Sequence, residues 1–293
     1  MGRPLRQFGA AVMIGALLSA CDVQVGDKGV SVNVVSEQAR DEWTRSYAVG
    51  AGTRLEISIV NGTMEVVAAG GSDASVAITR TASAMSKDAA REALEKVTIT
   101  EQASDGQVRI EVRPADRNAR RGRVTITAVV RLPPGTVAVL RTQNGPIQLT
   151  GVRGTLTVAA TNAAVIGRDV GGALSVSVVN GRLDLDLGTV TDPVTLSVLN
   201  GGARLGIPPS AGVEIDASAL NGGVTIAPPL SLVRDGDAGQ QPGVALVTDR
   251  VTGRLNGGGP KITAQVTNGG LRIGAPAEVT SPPASPRARG ATR

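Results

Sequence analysis

The sequence predicts an all-β protein, a β-solenoid of repeating coils about 18–21 residues long. Three observations predict it. A phrase of alternating apolar residues closed by Asn-Gly returns along most of the chain. Glycine is abundant, 38 of 293 residues, too many for helices and suited to many tight turns. Aromatic side chains are limited to Phe8, Trp43 and Tyr47, although 41% of residues are hydrophobic. The core must therefore be assembled from Val, Leu, Ile and Ala, which suits thin stacked layers better than a globule packed around rings.

The phrase reads LEISIVNGTMEV at 55–66, VLRTQNGPIQL at 139–149, LTVAATNAAVI at 156–166 and LSVSVVNGRLDLDL at 174–187. It continues as VTLSVLNGGARLGI at 194–207, IDASALNGGVTI at 215–226 and ITAQVTNGGLRI at 262–273. Its turns are Asn61-Gly62, Asn144-Gly145, Asn162-Ala163, Asn180-Gly181, Asn200-Gly201, Asn221-Gly222 and Asn268-Gly269. From Asn144 the asparagines advance by 18, 18, 20 and 21 residues, and a steady period of that size marks a repeat architecture.

Phase adds to spacing. Two, four and six residues before each Asn the side chain is apolar or small in nearly every copy, as in Leu174, Val176 and Val178. Three and five residues after it apolar residues return, as in Leu183 and Leu185. The chain thus bends at the pair while both flanking strands keep one apolar face inward. Asn and Gly accept positive φ cheaply, which suits them to the bend. Two architectures satisfy this phase, a meander of type I′ hairpins and a solenoid whose equivalent residues stack coil on coil. Each Asn shares the parity of the inward residues before it. A column of stacked amides at a coil corner explains that recurrence and favours the solenoid.

Residues 72–135 break the period. SVAITRTA reads as a strand, and SKDAAREALEKV at 86–97 as a short helix with Glu92 placed to pair with Lys96. VTIT, QVRIEVRP and GRVTITAVVRLPPG then read as strands. The segment is expected as a strand-helix-strand insertion on the side or end of the solenoid, where it caps an exposed edge. Residues 228–243 read as a long polar loop, and Asn256 is out of register because Thr252 and Arg254 stand where apolar residues belong.

The N-terminus sets the address. Two arginines, an apolar run at 10–18 and small residues follow in the order of a secretory signal. The run is about half the roughly 20 residues of a spanning helix. Leu18-Ser19-Ala20-Cys21 resembles the lipobox of bacterial lipoproteins, which implies cleavage before Cys21, lipidation of its thiol and firm anchorage through two or three acyl chains. Asp22 resembles an inner-membrane retention signal of enteric bacteria. The expected organisation is a signal peptide at 1–20, a lipidated tether at 21–44, the solenoid at 45–275 and a disordered tail at 276–293.

The repeated Asn-Gly phrase, the segment of strands and one helix, and the lipobox together resemble the toastrack family (DUF4097), also known as adhesin-like and related to auto-transporter adhesin head domains. The resemblance covers roughly residues 45–275, and TGRLNGGGPKITAQVTNGGLRIG at 252–274 is similar to the family's glycine-rich final repeats. It implies a right-handed β-solenoid on an extracytoplasmic surface, near envelope-stress or sensory systems, and carries over no catalytic residue.

Composition narrows the function. With no histidine and one cysteine, intrachain disulfides, Cys/His zinc sites and Ser-His-Asp or Cys-His catalysis are excluded. No S-x-x-K and no P-loop glycine pattern is present. Removal of Arg3 and Arg6 from the 30 basic groups leaves 28 against 25 acidic, near balance; with few aromatics this argues against nucleic-acid binding. Asp184 and Asp186 alternate with leucines and so point outward about 7 Å apart, a separation that resembles the paired carboxylates of sugar hydrolases. Asp192 is not far along the chain. A solvated strand face is the plainer reading, because neighbouring repeats lack matched acids. Arg113, Arg117, Arg120, Arg121 and Arg123 form a basic run that reads as a solvated loop or a contact with anionic polymer. The expectation is a membrane-tethered, non-enzymatic scaffold of the cell envelope, on its periplasmic or extracellular face. It needs no cofactor and no metal, binds no nucleic acid and presents a surface to a protein or envelope polymer. The rivals are a β-helix carbohydrate-active enzyme and a purely structural lipoprotein.

Overall fold

The computed structural model describes residues 25–26, 29–30, 37–50, 53–104, 106–114, 123–233 and 246–277. Each repeat places one strand before its Asn in a first sheet and one strand after it in a second. Leu174–Asn180 pairs in parallel with Gly154–Asn162 on one side and Val194–Asn200 on the other, with Asn162, Asn180 and Asn200 in register. Leu183–Leu187 pairs likewise with Val165–Val170 and Ala203–Gly206. A hairpin meander would instead pair Leu174–Asn180 with Leu183–Leu187, which lie in different sheets. The fold is a solenoid with two strands per coil.

Alternation explains the core. Leu174, Val176 and Val178 of the first sheet and Leu183, Leu185 and Leu187 of the second face each other, all at most 3% exposed. Each such burial is worth about 1.5–3 kcal/mol, and β-branched and leucyl side chains fill the thin gap without rings. A charge at Val176 would break the layer.

The first sheet runs, from one end of the rod to the other, through Val97–Ser104, Gln107–Pro114, Arg54–Asn61, Thr136–Asn144, Gly154–Asn162, Leu174–Asn180, Val194–Asn200, Lys261–Asn268, Val213–Asn221 and Arg250–Leu255. The second runs through Glu37–Ala48, Asp73–Ala84, Arg123–Leu132, Thr63–Ala68, Ile147–Thr150, Val165–Val170, Leu183–Leu187, Ala203–Gly206, Leu271–Gly274, Val224–Ile226 and Leu246–Thr248. Coil order therefore departs from chain order at both ends.

At one end this corrects the expected insertion at 72–135. Gln107–Pro114 and Arg123–Leu132 pair in parallel with Arg54–Asn61 and Thr63–Ala68 and form a coil of the solenoid itself. They carry the apolar alternation but no Asn-Gly, so spacing alone hid them. The antiparallel remainder, Asp73–Ala84 and Val97–Ser104, caps the rod together with Glu37–Ala48. That last strand lies partly in the stretch 21–44 expected as a tether, so the solenoid's end strand begins at Glu37. The helix, Lys87–Glu95, is capped by Ser86, whose hydroxyl accepts from the Ala89 amide (3.2 Å). It buries Ala90, Ala93 and Leu94 against Ala82. Lys96 donates to Glu92 at 2.8 Å.

At the other end, Lys261–Gly274 slots between the coils of 194–206 and 213–226. This accounts for the 47 residues between Asn221 and Asn268. The segment from 228 is not a polar loop at its start, because Leu230 and Leu232 are buried over the end of the core. Residues 234–245 lie outside the described residues.

Candidate functional site

The asparagines form one continuous column along a corner of the rod. The Asn144 side-chain Nδ2 donates to Oδ1 of Asn61 (2.7 Å), Asn162 to Asn144 (3.1 Å) and Asn180 to Asn162 (3.0 Å). Asn200 donates to Asn180 (2.8 Å), Asn268 to Asn200 (2.6 Å) and Asn221 to Asn268 (2.7 Å). The backbone runs the same ladder one residue on, with Gly181 N–H donating to the Asn200 carbonyl (2.9 Å) and Gly201 N–H to that of Asn268 (2.9 Å). Positive φ is not what the asparagines supply. Among the described residues only Asp169 and Asn256 hold positive φ without being glycine. Gly145, Gly181, Gly201 and Gly269 do hold positive φ, and the glycines answer to crowding between coils as well, since a Cβ on Gly201 would lie 1.7 Å from the Gly181 carbonyl oxygen. Asn256 stands apart, donating to the carbonyls of Pro209 (2.6 Å) and Ala211 (3.0 Å). The column is scaffold.

Asp184 and Asp186 are not a freely solvated pair: Asp184 is partly buried and Asp186 is only 3% exposed. Arginines of the two neighbouring coils fold over them. Arg168 Nη1 stands 3.0 Å from Asp184 Oδ1 and 3.4 Å from Asp186 Oδ2, and Arg204 Nη1 lies 3.0 and 2.7 Å from their Oδ1 atoms. The chain then closes over the pair, as Arg204 donates to the Ala275 carbonyl (3.2 Å) and Ala277 N–H to Asp186 Oδ1 (3.3 Å). Gly206 leaves the room, since a Cβ there would meet both Asp186 and Pro276. Burial pushes the Asp184 carboxyl up, but the two guanidiniums outweigh it and hold it below the usual carboxylate range. Ion-paired and largely covered, the two acids leave little open face for a sugar, and Asp184, its carboxyl held low by the arginines, is a poor proton donor. The neighbouring coils carry no matching acids but do carry matching arginines, Arg168 and Arg204, which pair with these acids only once the coils are stacked.

Glu56 repeats the device on the first sheet, 5% exposed between Arg109 (3.0 Å) and Arg141. Burial raises its carboxyl, and the two arginines bring it below its ordinary value.

The uninterrupted outward surface is the middle of the first sheet. Five residues before each Asn stand Thr157, Ser175, Thr195 and Thr263; three before stand Ala159, Ser177, Ser197 and Gln265. Parallel register puts each set in one row across adjacent strands, about 4.8 Å apart. Thr157, Ser175, Ser177, Thr195, Ser197 and Gln265 are exposed. The result is a flat, regular face of hydroxyls. Its signal in the sequence is the recurrence of Ser and Thr at the outward positions five and three residues before the Asn.

Cys21 and the lipobox residues Leu18, Ser19 and Ala20 lie outside the described residues, as do Arg117, Arg120 and Arg121. Arg113 is exposed and pairs with Glu111, and Arg123 opens its strand. Among the described residues no helix is long and apolar enough to cross a membrane, and no three His, Cys, Asp or Glu side chains gather as metal ligands.

No family profile and no curated protein matches the chain. Solved structures are similar to it. A Clostridium sporogenes protein whose description proposes a role in cell adhesion is 12% identical, with a TM-score of 0.42, over 80% of this chain and 99% of its own. A proposed adhesin of Bacteroides fragilis is 13% identical, TM-score 0.28, over 80% and 96%. Another from Parabacteroides distasonis is 10% identical, TM-score 0.26, over 80% and 96%.

Proposed function

We propose that this chain is a lipid-anchored, non-enzymatic scaffold of the bacterial cell envelope, adhesin-like in use, which lays its first-sheet face against an extended, regular partner polymer. The observation that carries this reading is the flat hydroxyl face around Ser175, Ser177, Thr195 and Ser197. A rigid lattice of donors and acceptors pays little ordering entropy on contact, and its repeat matches a partner that repeats. Weak contacts gain strength by multiplicity along such a partner. The lipobox at 18–21 would hold that face outside the cytoplasm.

Replacing Ser175, Ser177 and Ser197 by Lys leaves the inward layers untouched. The triple variant should lose adherence of the full chain to immobilised envelope polysaccharide, and unchanged adherence would overturn the reading. Radioactive fatty acid should label the wild type and not Cys21→Ser. Polysaccharide cleavage that disappears in a double Asp184→Asn, Asp186→Asn variant would sink the non-enzymatic assignment.

A further inference from the structure

At the corner opposite the asparagine column, where the chain returns from the second sheet to the first, a cavity of about 310 Å³ opens across four successive turns. Its origin lies in the repeat. Leu156 to Leu174 is 18 residues, whereas Leu174 to Val194 is 20, and the extra length falls in residues 188–193. The longer corner overhangs its neighbours with Thr189, Thr191 and Asp192. Opposite lie Gly135, Gly154 and Gly172. Two of these must be glycine, since a Cβ on Gly154 would meet the Thr136 carbonyl at 2.4 Å and one on Gly172 the Gly154 carbonyl at 2.2 Å. Coil spacing thus gives the cavity a floor of bare backbone.

Its charges are matched on one side only. Arg153 spans a coil to Asp169, 2.6 Å from its Oδ1, and donates to the Asp169 carbonyl as well, so that guanidinium is neutralised. Asp192 has no cationic partner among the described residues; the Thr191 hydroxyl donates to its Oδ2 at 2.7 Å. Glu56, Asp169, Asp184, Asp186 and Asp216, by contrast, are all held by arginine or lysine. A carboxylate left open beside threonine hydroxyls accepts from neighbouring hydroxyls of a ligand. It repels an anion, and its mixed walls of hydroxyl and bare backbone suit a ligand that carries both hydroxyl and C–H faces. The volume stands at the small end of the ligand-pocket range, about 300–1,000 Å³.

The cavity is also continuous with the hydroxyl face. Thr155 and Ala173 line it seven residues before their asparagines, on the same outward parity as Thr157 and Ser175.

We propose that this corner groove is a binding site for one uncharged sugar unit of a polysaccharide, with Asp192 accepting hydrogen bonds from its hydroxyls and the rest of the polymer passing onto the hydroxyl face. The assignment rests on the reading of that face as a polymer-binding surface and names the ligand's chemistry. The test is a titration of the ¹⁵N-labelled full chain with uncharged tetrasaccharides of gluco, galacto and N-acetylglucosamine configuration. Amide shifts should concentrate at Gly154, Gly172 and Thr191 for at least one of them. Asp192→Asn should weaken that binding about tenfold, the loss expected when a charged acceptor becomes neutral, and Thr155→Gln should weaken it by filling the groove. Glu65→Gln, on the second sheet, should leave it unchanged. No shift with any tetrasaccharide, or shifts indifferent to Asp192→Asn, would overturn the site. If the groove stays empty while the Ser175, Ser177, Ser197 triple variant still abolishes polymer adherence, only the groove assignment falls. If adherence survives that variant too, both readings fall.

Discussion

Asn268 donates its side-chain amide to Asn200 at 2.6 Å although 68 residues separate them in the chain. Its own Oδ1 accepts from Asn221 (2.7 Å), so the last asparagine in sequence sits inside the column and not at its end. Position in the ladder sets what each member is worth. Asn200→Ala removes two amide bonds and should lower stability by about 1–2 kcal/mol, whereas Asn61→Ala removes one and should cost about half of that. Urea unfolding of the two variants checks the ratio; equal losses would mean the ladder is not the source.

Gly201 tests the reason for glycine at the corner. Its added Cβ would press into the Gly181 carbonyl and its φ of 139° disfavours any side chain, so Gly201→Ala should cost about 3 kcal/mol as two coils are forced apart and the backbone is strained. Gly70 has open space around it and φ outside the positive region, and Gly70→Ala should stay within about 0.5 kcal/mol of wild type. Thermal melts of the pair give the comparison.

Thr142 occupies an inward position where other coils carry Ile59, Val178, Val198 or Val266, and its buried hydroxyl has no hydrogen-bond partner. Thr142→Val should therefore raise stability by about 1 kcal/mol. A lower midpoint in denaturant would show that the hydroxyl is satisfied after all.

Acid should act through Glu56 and Asp184. Both carboxyls titrate below their ordinary values when folded, because arginines overcome burial. Their contribution is thus fully present above the unfolded values, near 4.3 and 3.9, and is lost as pH falls through the folded values. The melting temperature should drop below about pH 4, and drop less steeply in Glu56→Gln and Asp184→Asn. Parallel curves for wild type and variants would refute the linkage.

Arg204 holds both acids and the chain end. Arg204→Met should destabilise by about 3 kcal/mol, because Asp186 loses its nearest cation while remaining buried. It should also free the backbone at Ala275 and Ala277 to exchange hydrogen faster, which deuterium labelling would report.

Much of this architecture is legible in the chain. The inward residues around Asn180 follow from parity, and the recurrence of asparagine at that parity distinguishes stacked coils from hairpins. What spacing cannot reveal is which coil neighbours which. Residues 107–132 bear no Asn-Gly, and Asn268 follows Asn221 in sequence yet precedes it in space. The burial of Asp184 and Asp186 is hidden for the same reason, since Arg168 and Arg204 lie 16–20 residues away and meet them only through register. The groove arises from two additional residues at one corner, a difference visible as the step from 18 to 20 but without meaning until the coils are stacked.

The interleaved coils at the two ends bear on how the molecule takes a load. Traction on the N-terminal side can peel away Glu37–Ala48, which has a single neighbour. The next stretch, Arg54–Asn61, is gripped on both flanks and has to be torn from two strands together. The exit after Leu271–Gly274 is gripped in the same way. Beyond that first strand the rod thus resists being unzipped from either terminus, because at each end the chain leaves a strand that is already paired on both sides.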